Sequence, residues 1–196
     1  GGNLAENSGG AHCLKYGFTV NHVLAADVVL PNGELVELSV WDAGPDLLGV
    51  LVGSEGTLGI ATRLTLRVLR TPAAVRTLLA GFPHADEAGE AVSAIVSSGI
   101  MPAAIEMMDA IAIEAATAAL GPDYPPGCGA VLIVELDGCA EQVGEDLAAV
   151  ERICVERNAR ECRIAAGPEE RARIWRGRKI AFAAMGRISP DYYVQD

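Results

Sequence analysis

The rhythm of apolar and polar residues changes once, near Pro72, and the two rhythms predict different architectures. Ahead of that point, HVLAADVVL (22–30) is rich in Val and Leu, PNG carries an Asn-Gly turn signal, and ELVEL alternates polar with apolar. Residues 22–38 therefore read as a β-hairpin bordering a sheet. After DLLGVLVGSEGTLG, the residues Ile60, Thr62, Leu64, Leu66 and Val68 fall on one face and Arg63, Thr65 and Arg67 on the other. That period of two predicts a strand with one largely apolar side.

RTPAAV then breaks the pattern with a proline, and a domain boundary is expected there, giving residues 1–72 and 73–196 as separate units. The second unit reads β-α-β-β-α-β with an insertion. VRTLLAGF is followed by a helix over about 85–98, then AAIEMMD, an inserted helix in AIAIEAATAAL, AVLIVELDG, another helix, and ECRIA. This is a ferredoxin-like order. In the helix after Gly138, Val143, Leu147, Val150 and Cys154 form one apolar stripe, while Glu141, Glu145, Glu151 and Arg152 take the opposite face. A last helix begins at Pro168, with Glu169 and Glu170 at the positive end of its dipole. The expected fold class is α+β, ending in a ferredoxin-like α/β sandwich.

Composition narrows the function. At 51% hydrophobic and 21% charged, the 196-residue chain is too apolar for disorder, and it has no apolar run long enough for a transmembrane segment. A net charge of -11 repels polyanions, so no nucleic-acid partner is expected. Cys13, Cys128, Cys139, Cys154 and Cys162 are odd in number and widely spaced, which fits reduced thiols in a cytoplasmic protein. His12, His22 and His84 stand singly without metal-ligand spacing, so each reads as a structural or surface histidine and no metal site is expected.

The chain opens on GGNLAENSGG, and GSEGTLG (53–59) sets a second run of glycines directly before a strand. Glycine clusters bring backbone N–H groups close to a ligand, phosphate oxygens above all. Neither stretch is a Rossmann fingerprint, which follows a strand and opens a helix, nor a P-loop, which ends in Gly-Lys-Ser/Thr. Two such loops flanking a hairpin suggest one extended ligand lying across both. With few side chains to pack and many unpaired amides, the opening loop is expected to be mobile without ligand.

Three stretches in this order, GGNLAENSGGAHCLKYGFT, GSEGTLGIATRLTLRVL and GRISPDYYVQD, carry a resemblance along essentially the whole chain. They resemble the FAD-linked 2-hydroxy-acid oxidoreductases of the vanillyl-alcohol-oxidase type, in their glycolate oxidase and D-lactate dehydrogenase branch. The resemblance implies that residues 1–72 are the C-terminal half of a two-subdomain FAD-binding domain of the PCMH type, and residues 73–196 an incomplete substrate domain. It places Gly2, Ala5, Asn7, Ser8, Gly9 and Gly10 along the diphosphate and isoalloxazine, and Glu55, Gly56, Thr57, Leu58, Gly59, Ile60 and Ala61 against ribityl and flavin. Members of this family run to more than twice this length, with a separate phosphate loop and a His-rich catalytic motif that have no counterpart here. The chain therefore reads as a middle piece of a larger flavoenzyme, inactive alone, with the catalytic base outside it and other subunits of a glycolate oxidase complex as candidate partners.

Arg171, Arg173, Arg176, Arg178, Lys179 and Arg187 crowd together in an acidic chain. Most read as a solvated helix face whose basic residues favour the negative end of the dipole, a reading that Arg171 and Arg173, nearer the helix start, fit poorly. Arg178 differs: the resemblance of WRGRK to the family motif makes it the residue that grips the substrate carboxylate, a task suited to a guanidinium fork. Trp175 and the pair Tyr192 and Tyr193 are candidate pocket walls, with packing the default. A rival reading is a regulatory module that senses a small metabolite, with the glycine loops serving only as turns.

Overall fold

The computed structural model describes every residue except Pro122, Ile188, Pro190 and 192–196. The chain divides into two compact units, Gly1–Thr71 and Pro72–Asp196.

In the first unit the hairpin forms from β1 (Val23–Val29) and β2 (Leu35–Ser39), and β3 (Ile60–Leu66) pairs with the other edge of β1. The antiparallel order is β2-β1-β3. The Asn-Gly turn closes through Leu30 N donating to Glu34 O at 2.9 Å. Short helical turns fill the rest: α1 (Gly2–Ala5), α2 (Cys13–Tyr16) and α3 (Leu47–Leu51). The side chain of Asp46 caps α3 by accepting from Gly49 N at 2.8 Å. Leu4, Val23, Ala26, Val28, Leu48, Leu51 and Val52 make the core.

The even alternation expected for β3 is broken. Asp27 pairs with Arg63 but Val28 pairs with Ala61, so the ladder shifts at Thr62. Such a bulge exchanges the faces of the strand. Ala61 and Leu64 pack on the core, while Ile60 is left 67% exposed; Val68, beyond the end of β3, is 87% exposed.

The second unit contains β4 (Ala74–Phe82), α4 (Ala85–Ser97), β5 (Ala104–Asp109), α5 (Ala110–Leu120), β6 (Ala130–Gly138), α6 (Ala140–Glu156), β7 (Glu161–Ile164) and α7 (Pro168–Ala184). The sheet order is β5-β6-β4-β7, antiparallel throughout, which is the ferredoxin-like arrangement. Its departure from a two-layer sandwich lies in the inserted α5 and the closing α7, which cover the second face. In β6, Leu132, Val134 and Leu136 enter one core with α4 and α6, and Val131 and Ile133 enter another that includes Ala116 of α5 and Ile174 of α7. Burial on both faces explains the almost unbroken apolar run of that strand.

Gly177 lets α7 lie close on the loop after α5. A Cβ there would collide with the phenol oxygen of Tyr124, which donates to Ile174 O at 3.2 Å. Among the described residues no helix is long and apolar enough to cross a membrane.

Candidate functional site

The two glycine-rich stretches are joined by backbone hydrogen bonds. Gly53 N donates to Leu4 O and Glu55 N to Ala5 O, each at 2.9 Å. Glu55, with φ 54°, sits in a left-handed conformation that an ordinary side chain disfavours, and Gly56 follows with φ 75°. Strain of this kind persists where the surroundings over-determine it, here through the bond to Ala5, and it clusters at ligand sites.

The opening stretch is not the open loop expected from its glycines. Residues Gly2–Ala5 form a helical turn, Leu4 is buried, and Ser8 N donates to Asn3 O. Asn7 Oδ1 accepts from Val20 N at 2.9 Å, and Ser8 O accepts from both N and Oγ1 of Thr19. Much of the backbone described as unpaired is therefore already bonded.

Two clefts flank this turn. The smaller, about 160 Å³, is lined by Ala5, Gly56, Gly59, Ile60 and Ala61 together with Leu4 and Leu51. The larger, about 530 Å³, takes in Gly2, Ser8, Gly9, Phe18, His22 and Leu64. Eight of the residues assigned to the cofactor thus border a cleft. Asn7, Glu55 and Thr57 instead shape the loops, Thr57 by donating through N and Oγ1 to Ser54 O. Leu58 is half exposed, and Gly10 carries φ 125°. A Cβ on Gly1, Gly2, Gly10 or Gly56 would meet nothing within 4 Å. These backbones face open space, so the loops leave room for a cofactor beside them.

Arg178 belongs to the second unit. From α7 its Nη2 lies 2.9 Å and its Nε 3.1 Å from Glu106 Oε2 on β5. One turn earlier, Trp175 Nε1 donates to Glu135 Oε2 on β6 at 2.7 Å, and Thr77 Oγ1 on β4 donates to the same oxygen at 2.9 Å. Glu135 is opposite Ala104, and Glu106 is opposite Ile133, so the two carboxylates stand diagonally on the sheet face covered by α5 and α7. Neither was singled out from the sequence. The available signal was a glutamate among the apolar residues of each strand, Glu106 in AIEMM and Glu135 in AVLIVEL.

The helix-dipole reading of the basic cluster is corrected. The last turn of α7 holds no basic residue. Arg173 pairs with Asp123 at 3.0 Å, Arg178 pairs with Glu106, and Arg163 from β7 also meets Asp123. A cavity of about 310 Å³ beside Arg173 and Arg176 is floored by Tyr124 and Gly177. Burial, with Asp123 adding to it, pushes the Tyr124 phenol up to about 12.

Cys154 on α6 and Cys162 on the strand that follows, β7, are neighbours. The Cys154 thiol donates to Cys162, which with burial raises Cys154 well above the ordinary thiol range and lowers Cys162. Of the histidines, His22 Nε2 bonds to Tyr16 O at 2.8 Å, and His12 and His84 precede α2 and α4. Tyr192 and Tyr193, with most of the GRISPDYYVQD stretch, lie outside the described residues.

The family model described as "FAD linked oxidases, C-terminal domain" matches residues 71–196, and a model of an FAD binding domain matches residues 1–39. The whole chain is 45% identical to the glycolate oxidase subunit GlcD of Escherichia coli strain K12 and spans 40% of that protein. It is 37% identical to GlcD of Bacillus subtilis, spanning 43% of it. Three quarters of the chain is 36% identical to the D-lactate dehydrogenase of Anaerostipes hadrus and spans 33% of it. An alkyldihydroxyacetonephosphate synthase structure shares the fold over 94% of this chain and 36% of its own, with a TM-score of 0.71 at 22% identity. The chain thus spans less than half the length of these relatives.

Proposed function

The chain belongs to the FAD-linked oxidases, whose cofactor is FAD, and on that footing we propose that it is part of a longer enzyme oxidising a small 2-hydroxy acid, glycolate or D-lactate, to the 2-oxo acid. The observation that carries this reading is the joining of two glycine stretches, with open backbone and two clefts around them, in a chain similar along its length to a glycolate oxidase subunit.

Gly2, Ala5, Ser8, Gly9, Gly56, Gly59, Ile60 and Ala61 are the residues proposed to hold the cofactor, with Asn7, Gly10, Glu55, Thr57 and Leu58 giving their segments the required course. When bound, FAD supplies the acceptor for the two electrons leaving the hydroxyl-bearing carbon. Arg178 binds the substrate carboxylate, fixing that carbon by a charge-assisted pair. The base lies outside these 196 residues, so the isolated chain is expected to be inactive. The proposed setting is a soluble, cytoplasmic complex with other subunits, as in the protein named a glycolate oxidase subunit.

Removing one partner of a desolvated carboxylate pair costs about 2–5 kcal/mol, or roughly 30- to several-thousand-fold in kcat/KM. In the full-length protein, Arg178→Met is expected to lose that much for glycolate or D-lactate at normal flavin content, with Arg178→Lys between it and wild type. A loss below about threefold, in the range of an exposed ion pair, removes Arg178 from the substrate site.

A further inference from the structure

The Arg178 guanidinium is held from one side. Nε and Nη2 both reach Glu106 Oε2, at 3.1 and 2.9 Å, so the side edge of the fork is engaged. A guanidinium has five N–H donors. Two are directed at Glu106, which leaves the end-on edge, formed by Nη1 and the second hydrogen of Nη2. Glu106 stands on the edge strand β5, where that strand pairs with β6, and is 22% exposed, whereas the arginine side chain remains 39% exposed.

We infer that Glu106 is a positioning residue for Arg178: its carboxylate locks the side edge of the guanidinium and aims the end-on edge at the carboxylate of a small 2-hydroxy acid. This rests on the assignment of Arg178 to the substrate. The anchoring is doubled along α7. Trp175, three residues earlier on the same helix, is tied to Glu135 on the neighbouring strand, so the helix turn bearing Arg178 is fixed to the sheet at two points. An arginine gripping substrate from a long flexible stem loses rotamer freedom on every binding event; one already held by an internal carboxylate has lost much of it beforehand. The device also has a charge cost, since Glu106 is an anion near the place where another anion binds. Positioning therefore predicts a higher KM when the Glu106 side chain is removed, and the charge cost alone a lower one.

The test uses the full-length flavoprotein with glycolate and D-lactate. Glu106→Gln keeps an oxygen acceptor at the same reach without the charge, Glu106→Asp keeps the charge but withdraws it by one methylene, and Glu106→Ala removes both. Positioning predicts KM rising about tenfold or more in Glu106→Ala, less in Glu106→Asp and least in Glu106→Gln, with kcat within about twofold and flavin content unchanged. If KM is unchanged in all three, or Glu106→Asp matches wild type while Glu106→Gln departs most, Glu106 is not a positioning residue. Should the alanine variant fail to fold, the ranking of Asp against Gln still decides. Arg178→Met, measured alongside, separates the two assignments. An effect there with none at Glu106 overturns the positioning role alone, and no effect at Arg178 overturns the carboxylate assignment on which it rests.

Discussion

Trp175 Nε1 and Thr77 Oγ1 converge on a single oxygen, Oε2 of Glu135, which lies in a β-strand and is only 7% exposed. A buried carboxylate is tolerated where donors surround it, and removing one donor leaves a desolvation cost of about 1–3 kcal/mol. Trp175→Phe keeps one aromatic ring but deletes the N–H and the second ring of the indole, so it is expected to lower unfolding stability by at least that amount. Denaturant unfolding of the full-length protein measures the loss. A Trp175→Phe cost under about 0.5 kcal/mol, typical of an unremarkable surface site, would contradict the buried-network account.

Tyr124 links this unit's stability to alkaline pH. Its phenol ionises near 10.0 when unperturbed and is pushed up to about 12 in the fold, by burial first and by Asp123 next. The folded state therefore holds its proton more tightly than the unfolded chain. The stabilisation is fully present below pH 10 and is lost as pH rises from 10 to about 12. The Tyr124→Phe variant lacks the titrating group, so its stability is expected to fall less steeply over that window. Parallel curves for variant and wild type would rule out this contribution.

The parts of this protein legible in its sequence are those governed by local periodicity. The hairpin at Asn32-Gly33 and the ferredoxin-like order follow from turn chemistry and from the 2.0 and 3.6 residue periods. The bulge at Thr62 was not legible, because one extra residue changes the face of a strand without altering its composition. Helices of four or five residues, such as Gly2–Ala5 and Leu47–Leu51, are too short to show a period, and tertiary contacts at Leu4, Leu48 and Leu51 hold them. Long-range pairs were hidden for a different reason. Arg178 stood out because its motif has a family likeness, but its partner Glu106 lies 72 residues away on a strand. Only the sheet register and the course of α7 bring the two together.

Gly56 separates a ligand role for the second glycine loop from a purely structural one. Its φ of 75° favours glycine, yet a Cβ on it would meet no atom within 4 Å. A side chain there strains the backbone by about 1–2 kcal/mol but collides with nothing in the unliganded fold. Asparagine accepts left-handed geometry better than other non-glycine residues, so Gly56→Asn should fold with little loss. Valine adds β-branching and should be both strained and bulkier toward the cleft that Gly56 lines. If FAD approaches this backbone closely, full-length Gly56→Asn is expected to purify with markedly less flavin despite a near-normal unfolding midpoint, and Gly56→Val with less still. The ratio of flavin to protein absorbance measures the first quantity and thermal unfolding of the flavin-stripped protein the second. Full flavin content in both variants would mean that the cofactor does not approach at Gly56, and that the open space beside it is only the outside of a turn.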